Sequence, residues 1–266
     1  MNDPREEIKK LMARVRKQAP MPSSDRVVKE TFLRLGFLPE VIQAEDALKN
    51  FDLMLGRLFE ETLRTLERYE LASYASGIPA EFLKSYPQDV DQAEAVARQQ
   101  GFRPGVAHLL TQWYPLLRRA FLSVGQGRMA RGGKDFELQI QGLLDLAKLP
   151  YTKQEQKEHT DFILPNVGSY QKNRTTAIII SAKRTLRERW AEVAEELFNL
   201  RSPNVFLFTA DESISEDKVN RICRRYNIHL VVWDRVKASK FAEEPLVLGY
   251  TEWATDRLAI LRQRWN

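Results

Sequence analysis

The stretch DFILPNVGSYQKNRTTAIIISAKRTLRERWAEVAEE, residues 161 to 196, decides the fold. Its two short apolar runs, DFIL and TTAIIISAK, predict strands, because β-branched side chains pack well on a pleated sheet. The residues that follow the second run place apolar side chains three and four positions apart, which predicts a helix. The stretch therefore predicts a strand, a second strand and a helix in succession.

The link between the two strands contains Pro165 and Asn166, with Gly168 soon after. These residue types favour a turn, so we expect the strands to be neighbours that pair as a meander. Asp161 opens the first strand and Lys183 closes the second. In a meander the two side chains would converge at one edge of the sheet.

The same alternation of element types extends through the second half of the chain. A helix is predicted for DFELQIQGLLDLAK, and strands are predicted for NVFLFTA and IHLVVWD. The segments SEDKVNRICRRY and TEWATDRLAILRQRW have the apolar spacing of amphipathic helices. This pattern predicts an α/β (α+β) fold with a mixed sheet flanked by helices.

The first 125 residues predict helices alone. Four segments have helical apolar spacing: VVKETFLRLGF, AEDALKNFDLMLGRLFEETLRTLERYELASYA, DVDQAEAVARQQGF and VAHLLTQWYPLLRRAFLSV. The run GQGRMARGGK, residues 125 to 134, is rich in glycine and basic residues and predicts an exposed loop. We take it as the boundary between a helical N-terminal region, 1–125, and an α/β domain, 126–266.

The charge balance favours a polyanionic partner. The 266 residues carry a net charge of +5, and the pI is about 9.2. Lysine and arginine that neutralise phosphates release condensed counterions, which drives binding to nucleic acid. Many basic proteins bind no nucleic acid, so charge alone leaves the partner open.

Other features exclude whole classes of protein. A single cysteine, Cys223, excludes an internal disulfide framework and a cysteine-based zinc site. The chain starts with a charged segment where a signal peptide would be apolar, and no apolar run approaches the roughly 20 residues that span a bilayer. We therefore expect a cytoplasmic protein.

The pair Asp161 and Lys183 has the chemistry of a phosphodiester hydrolase. Such an enzyme must stabilise charge on the phosphate and supply a deprotonated water, and a carboxylate-held Mg²⁺ does both. Asp161 would bind the metal, together with the main-chain carbonyl of Ala182, and Lys183 would face the water. The alternative is a strand-capping aspartate and a solvated lysine, since both residue types are common.

Further carboxylates lie within reach of this edge. At about 100° per residue, Glu196 falls beside the apolar face of its helix, whereas Glu192 and Glu195 point further towards solvent. Glu196 is therefore the better second metal ligand. Glu137, on the helix that precedes the first strand, is a third candidate. Its alternative is a surface residue.

Arg187, Glu188 and Arg189 form a compact group at the start of the helix. Arginine can bind O6 and N7 of guanine, and a carboxylate can accept from N4 of cytosine, so the group could read two adjacent G·C pairs. The alternative is a solvated first turn in which Glu188 is stabilised by the helix dipole. That alternative gives no reason for two arginines at the positive end of a helix.

The sequence SAKRTLRERW, with Asp161 upstream and Glu196 downstream, resembles the PD-(D/E)XK restriction endonucleases that recognise CCGG, CCNGG or CCWGG cores. The resemblance is specific over residues 132 to 200. It implies a magnesium-dependent type II restriction endonuclease with catalytic Asp161, Lys183, Glu196 and, more weakly, Glu137. It also implies that residues 187 to 189 read the G·C pairs. One departure is Thr160, where the family has proline before the aspartate.

Residues 187 to 189 are called the reading group below. A chain with one active site and one asymmetric reading group needs a two-fold homodimer, or a higher oligomer, to cut both strands of a palindrome. Two rival functions stay open. One is a repair, junction or transposon-end nuclease of the same fold, in which residues 184 to 189 contact only phosphate. The other is a non-catalytic DNA-binding regulator, although the first half contains no recognisable helix-turn-helix signature.

Overall fold

The computed structural model describes residues 4–18, 20–153, 160–186 and 190–265. Within these ranges six strands form one sheet, and their spatial order follows the chain order. The strands are β1 Thr152–Lys153, β2 Phe162–Leu164, β3 Ile178–Ala182, β4 Val205–Phe208, β5 His229–Val232 and β6 Val247–Gly249. Strands β1 to β3 pair antiparallel and β3 to β6 pair parallel. The predicted mixed sheet is confirmed.

Helices flank the sheet and make up the first half of the chain, as the sequence predicts. They are α1 Pro4–Gln18, α2 Ser24–Leu35, α3 Ala44–Lys49, α4 Phe51–Ser85, α5 Pro87–Gln100, α6 Phe102–Leu146, α7 Val167–Lys172, α8 Trp190–Asn199, α9 Glu216–Val219, α10 Asp234–Lys240, α11 Tyr250–Glu252 and α12 Leu258–Arg262. The π-helical segments Asn220–Arg225 and Trp253–Arg257 follow α9 and α11 directly. In the described part of the chain, no helix combines the length and the apolar character that crossing a membrane requires.

The described residues fall into two compact units. One unit draws on Met1–Val27 and Leu63–Arg131, and the other draws on Val28–Thr62 and Gly132–Asn266. The core of the first unit joins α1, α4 and α6. Its buried residues are Ile8, Leu11, Met12, Val15, Ile78, Phe82, Trp113 and Ala120.

The second unit is built around the sheet. All five residues of β3 are buried, because a strand with neighbours on both sides and helices over its faces is shielded from solvent. Helix α8 contributes the apolar face that its sequence predicts. Aromatic rings fill the space beside β4, where Phe208 lies 4.7 Å from Trp253 and 5.5 Å from Tyr250, measured between ring centroids. Phe51 of α4 packs against the same two rings.

The loop predicted for residues 125–134 is wrong, because these residues lie inside α6. Glycine in a helix costs about 1 kcal/mol relative to alanine, and tertiary contacts readily outweigh that cost. Arg128 is ion-paired with Glu70, and Arg131 donates to the main-chain oxygen of Pro22 at 3.0 Å. These partners lie 58 and 109 residues away along the chain, so a local pattern could not reveal them.

The link between β2 and β3 also differs from the prediction. The two strands pair antiparallel as neighbours, which confirms the meander, but the link is longer than a turn and contains α7. The Leu164–Pro165 peptide is cis, and Asn166 caps α7 by accepting from the main-chain nitrogen of Ser169 at 2.8 Å. The short strands β1 and β6 and the helices α1 and α10 were not predicted.

Candidate active site

Asp161 and Lys183 meet at the sheet edge where β2 begins and β3 ends. Asp161 precedes β2, and its main-chain N–H donates to the oxygen of Ile180 at 2.9 Å. Lys183 follows β3, and its main-chain N–H donates to the oxygen of Phe208 at 2.8 Å. Both residues therefore take their positions from strand pairing. The Lys183 Nζ atom lies 3.1 Å from the Asp161 Oδ2 atom.

The end of β3 holds the Asp161 carboxylate through main-chain and side-chain groups in addition to the lysine. Its Oδ2 atom accepts from the main-chain N–H of Ala182 at 2.6 Å and lies 3.5 Å from the hydroxyl of Ser181. The N–H and C=O groups of one strand residue point to the same side, so the Ala182 carbonyl faces the side of β3 on which β2 lies. The Asp161 side chain is 17% exposed and that of Lys183 is 28% exposed, so the pair is partly buried and still open to solvent.

The oxygens at this edge fit a hard divalent cation. Within the described ranges the hydrogen bonds of the Asp161 side chain are all made by Oδ2. The Oδ1 atom is therefore available as a metal ligand. Carboxylate and main-chain carbonyl oxygens are the ligands that Mg²⁺ takes in proteins. The part of the chain that is described contains no cluster of three or more His, Cys, Asp or Glu side chains able to hold a metal. A cation at this edge would therefore have few protein ligands and would need further ones from solvent or a bound molecule.

Glu137 of α6 lies between two lysines. Lys134 donates to it at 3.0 Å from the preceding turn of the helix, and Lys153 of β1 lies 3.1 Å away. Burial alone would raise the pKa of Glu137, but the two lysines outweigh it and hold the pKa below its ordinary value. Glu137 is therefore ionised in the folded protein at neutral pH.

The two lysines connect Glu137 to the Asp161 edge. Lys153 pairs with Phe162, the residue after Asp161, so β1 brings it to the same end of the sheet. Burial opposes the charge of Lys134, but Glu137 and the nearby Asp161 raise its pKa above the ordinary value. Sequence reasoning missed both lysines. The spacing of Lys134 and Glu137 could have indicated an ion pair, whereas a two-residue strand gives no pattern that would have revealed Lys153.

Glu196 lies on α8, partly buried, with its Oε2 atom inaccessible to solvent. Glu192 and Glu195 of the same helix are exposed. The structure does not gather Asp161, Glu137 and Glu196 into one three-carboxylate cluster within the described residues. A role for Glu196 as a metal ligand stays a prediction.

The reading group, Arg187, Glu188 and Arg189, lies outside the described residues. Its two flanks are described. Leu186 is 2% exposed and belongs to the core of the sheet unit, and Trp190 begins α8. Cys223 is buried, and burial raises the pKa of its thiol to about 12, so it has no role as a thiolate.

Known proteins resemble this chain in sequence, and the family match lies mostly in its second half. The family model "EcoRII C terminal" matches residues 116–247. The type II restriction enzyme SsoII from Shigella sonnei is 29% identical over 193 residues, which cover 68% of this chain and 61% of SsoII. The chain thus spans about three fifths of that relative's length.

Two solved structures have the same fold. Metal-depleted Ecl18kI in complex with uncleaved DNA superposes with a TM-score of 0.82 at 25% identity and covers 100% of this chain and 87% of Ecl18kI. The PspGI complex with substrate DNA superposes with a TM-score of 0.61 at 18% identity and covers 91% of this chain and 94% of PspGI. The sequence and structural matches agree: the chain is similar in sequence to the type II restriction enzyme SsoII and to the EcoRII C-terminal family, and it has the fold of Ecl18kI and of the restriction endonuclease PspGI.

Proposed function

We propose that this chain is a magnesium-dependent type II restriction endonuclease that hydrolyses double-stranded DNA at a short palindrome with a CCGG or CCNGG-type core. The observation that carries the proposal is the ion pair between Asp161 and Lys183, 3.1 Å apart at the β2–β3 edge. It combines a metal-binding carboxylate with a cation beside it. Both matched structures are complexes with DNA, which supports DNA as the partner.

The catalytic roles follow from the donor atoms. Asp161, Glu196 and the Ala182 carbonyl would hold Mg²⁺, which when bound would polarise the phosphate and lower the pKa of a water. Lys183 donates a hydrogen bond to the attacking water and neutralises charge that develops on the phosphate. Glu137, the weaker match to a catalytic position, forms ion pairs with Lys134 and Lys153 at the same edge, and the positive charges of these lysines would face the substrate backbone.

Sequence recognition is assigned to Arg187, Glu188 and Arg189. The arginines bind guanine O6 and N7, and Glu188 accepts from cytosine N4. Cutting both strands of a palindrome requires two such groups related by a two-fold axis, so the chain acts as a homodimer or a higher oligomer. The nuclease chemistry is assigned to residues 126–266, and DNA contacts or dimerisation to residues 1–125.

Digestion of a large plasmid of known sequence with Mg²⁺, followed by mapping of the ends, tests the proposal. We expect ends at one recurring palindrome with a G·C core. Cutting at branched or damaged DNA without regard to sequence would instead identify a repair or junction nuclease. A chain that retards DNA in a gel and never cuts it with Mg²⁺ would be a regulator.

A second experiment tests recognition. Replacing Arg187 or Arg189 with alanine should cost about 1 to 3 kcal/mol of discrimination at one G·C pair. Arginines that only neutralise phosphate would instead weaken binding to all sequences alike and reduce the salt dependence by about one unit of slope. Glu188→Ala should bind random DNA at least as well as the parent but lose preference for the core. Full sequence preference in that variant would contradict its assignment.

A further inference from the structure

Two charged side chains hold the main chain at Leu186, the residue that precedes the reading group. One binds its N–H and the other binds its C=O. The N–H of Leu186 donates to the Asp211 Oδ2 atom at 3.0 Å. The carbonyl oxygen of Leu186 accepts from the Lys218 Nζ atom at 2.7 Å. Asp211 and Lys218 lie 25 and 32 residues further along the chain, so the contacts are tertiary. Hydrogen bonds to charged groups are about twice as strong as neutral ones.

The two side chains are themselves fixed. Asp211 follows β4, where its N–H donates to the Thr209 hydroxyl at 3.2 Å and its Oδ1 atom accepts from the N–H of Ser213 at 2.9 Å. Lys218 lies in α9, where Ser215 caps the helix by accepting from the Lys218 N–H. Thr209 is fully buried. Both residues that hold Leu186 are therefore themselves held by hydrogen bonds within the sheet unit.

The contact on the Leu186 carbonyl bears directly on the next residue, Arg187. The C=O of Leu186 and the N–H of Arg187 belong to one planar peptide unit. A hydrogen bond that fixes the orientation of this carbonyl therefore orients the main chain at Leu186, the residue before the reading group. The buried Leu186 side chain, 2% exposed, prevents the residue from shifting as a whole.

We propose that Asp211 and Lys218 are positioning residues that fix the main chain at Leu186 and thereby set the sequence discrimination of residues 187–189 without touching DNA. This inference rests on the proposed function. Together the two residues add no net charge, so their effect lies in geometry and not in attraction to phosphate. A displacement of about 1 Å in a functional group can cost on the order of a hundredfold in rate.

The variants Asp211→Ala and Lys218→Met test the inference against a matched control, Lys237→Met. Lys237 also donates to main-chain carbonyls, those of Phe241 at 2.9 Å and Glu244 at 2.9 Å, but it lies in α10 and holds the segment that follows that helix instead of Leu186. The control therefore removes the same kind of contact from the same unit. Lys218→Arg keeps a charged donor and should restore function.

Two quantities are measured on duplexes that carry the palindrome mapped from the parent's own cuts and on duplexes with one G·C pair replaced. We expect the ratio of cleavage rates between the two duplexes to fall about tenfold or more in Asp211→Ala and Lys218→Met. Affinity for DNA without the site, measured with Ca²⁺, should change less than about threefold, because each variant changes one charge and no phosphate contact. Lys237→Met should lower Tm but keep the parent's ratio.

An unchanged ratio in both variants, with a loss of Tm like that of Lys237→Met, would overturn the inference and reduce the contacts to structural ones. If Asp211→Ala does not fold, Asp211→Asn takes its place, because the amide oxygen keeps the acceptor, and its ratio should fall between those of the parent and Lys218→Met. A parent chain that cuts no DNA would overturn the proposed function and this inference together. A parent that cuts specifically while the variants keep its ratio would overturn the inference alone.

Discussion

The two halves of the sheet differ in the kind of side chain that surrounds them. Around β1 to β3 the sheet edge carries charged groups in contact with one another: Asp161 with Lys183, and Glu137 with Lys134 and Lys153. Around β4 to β6 the sheet is covered by interlocked aromatic rings. Partly buried ion pairs add little to stability, whereas buried aromatic rings add much. Catalysis and stability should therefore be separable by mutation, although the two halves are joined where β3 pairs with β4.

The largest expected effect lies at the charged edge. Asp161→Asn and Lys183→Ala should each reduce cleavage at least about a thousandfold, because they remove the metal-binding carboxylate and the cation beside the water. Cleavage of plasmid DNA with Mg²⁺ measures the loss, and urea unfolding should show a stability close to that of the parent. Lys172→Ala, an exposed lysine at the end of α7, is the matched control. Normal cleavage by either variant would remove this edge from the active site.

The aromatic half should respond in the opposite sense. Phe208→Ala should lower the free energy of unfolding by about 3 to 5 kcal/mol, since the ring is fully buried between Trp253 and Tyr250. Urea unfolding measures this loss of free energy. The folded fraction of the variant should keep the sequence specificity of the parent. The control is Phe198→Ala, whose side chain is half exposed on α8 and should cost far less. Equal losses from the two substitutions would mean that the rings beside β4 do not carry the stability of this half.

Acid should weaken the aromatic half through His229. Burial, aided by the nearby Arg257, lowers the pKa of His229 to about 4 from 6.5. Between these two pH values the unfolded chain binds a proton at His229 and the folded protein does not. The neutral imidazole therefore contributes fully to the free energy of unfolding above pH 6.5, and this contribution is lost as the pH falls towards 4. The loss is about 3 kcal/mol at most.

His229→Leu tests this directly. The variant should be less stable than the parent at neutral pH, because Arg257 loses its partner, 3.0 Å away. Its unfolding free energy should change less than the parent's between pH 6.5 and 4, since it has no imidazole to protonate. Parallel pH profiles for the two proteins would assign the acid sensitivity to other groups.

The smallest of the four effects separates three glutamates of one helix. Glu196→Ala should reduce cleavage about a hundredfold, whereas Glu192→Ala and Glu195→Ala should change it less than about twofold. The reason is orientation, because Glu196 is partly buried and the other two are exposed. Cleavage rates under identical Mg²⁺ concentrations provide the comparison. Similar losses at all three positions would leave Glu196 with no special place in metal binding.

Sequence reasoning succeeded where a local pattern carries the information. The run of β-branched residues in β3, with an acid before one strand and a lysine after the next, was enough to predict that Asp161 and Lys183 meet. It failed where the information is tertiary. The glycines of 125–134 stay helical through contacts such as Arg131 with Pro22, and Lys153 reaches the site on a strand of two residues. Neither feature has a periodicity that a sequence could display.

The pairing between β2 and β3 links the candidate active site to the packing of the core. Side chains alternate across a strand, so a register slip of one residue would turn every side chain to the opposite face. In the native register Phe162 lies opposite Ile180, and only this alignment places the Asp161 carboxylate on the N–H of Ala182. A chain that pairs wrongly loses its core and its acid–lysine pair at once. If the chain cuts DNA as proposed, copies that have not reached the native register would lack the catalytic pair and would not cut.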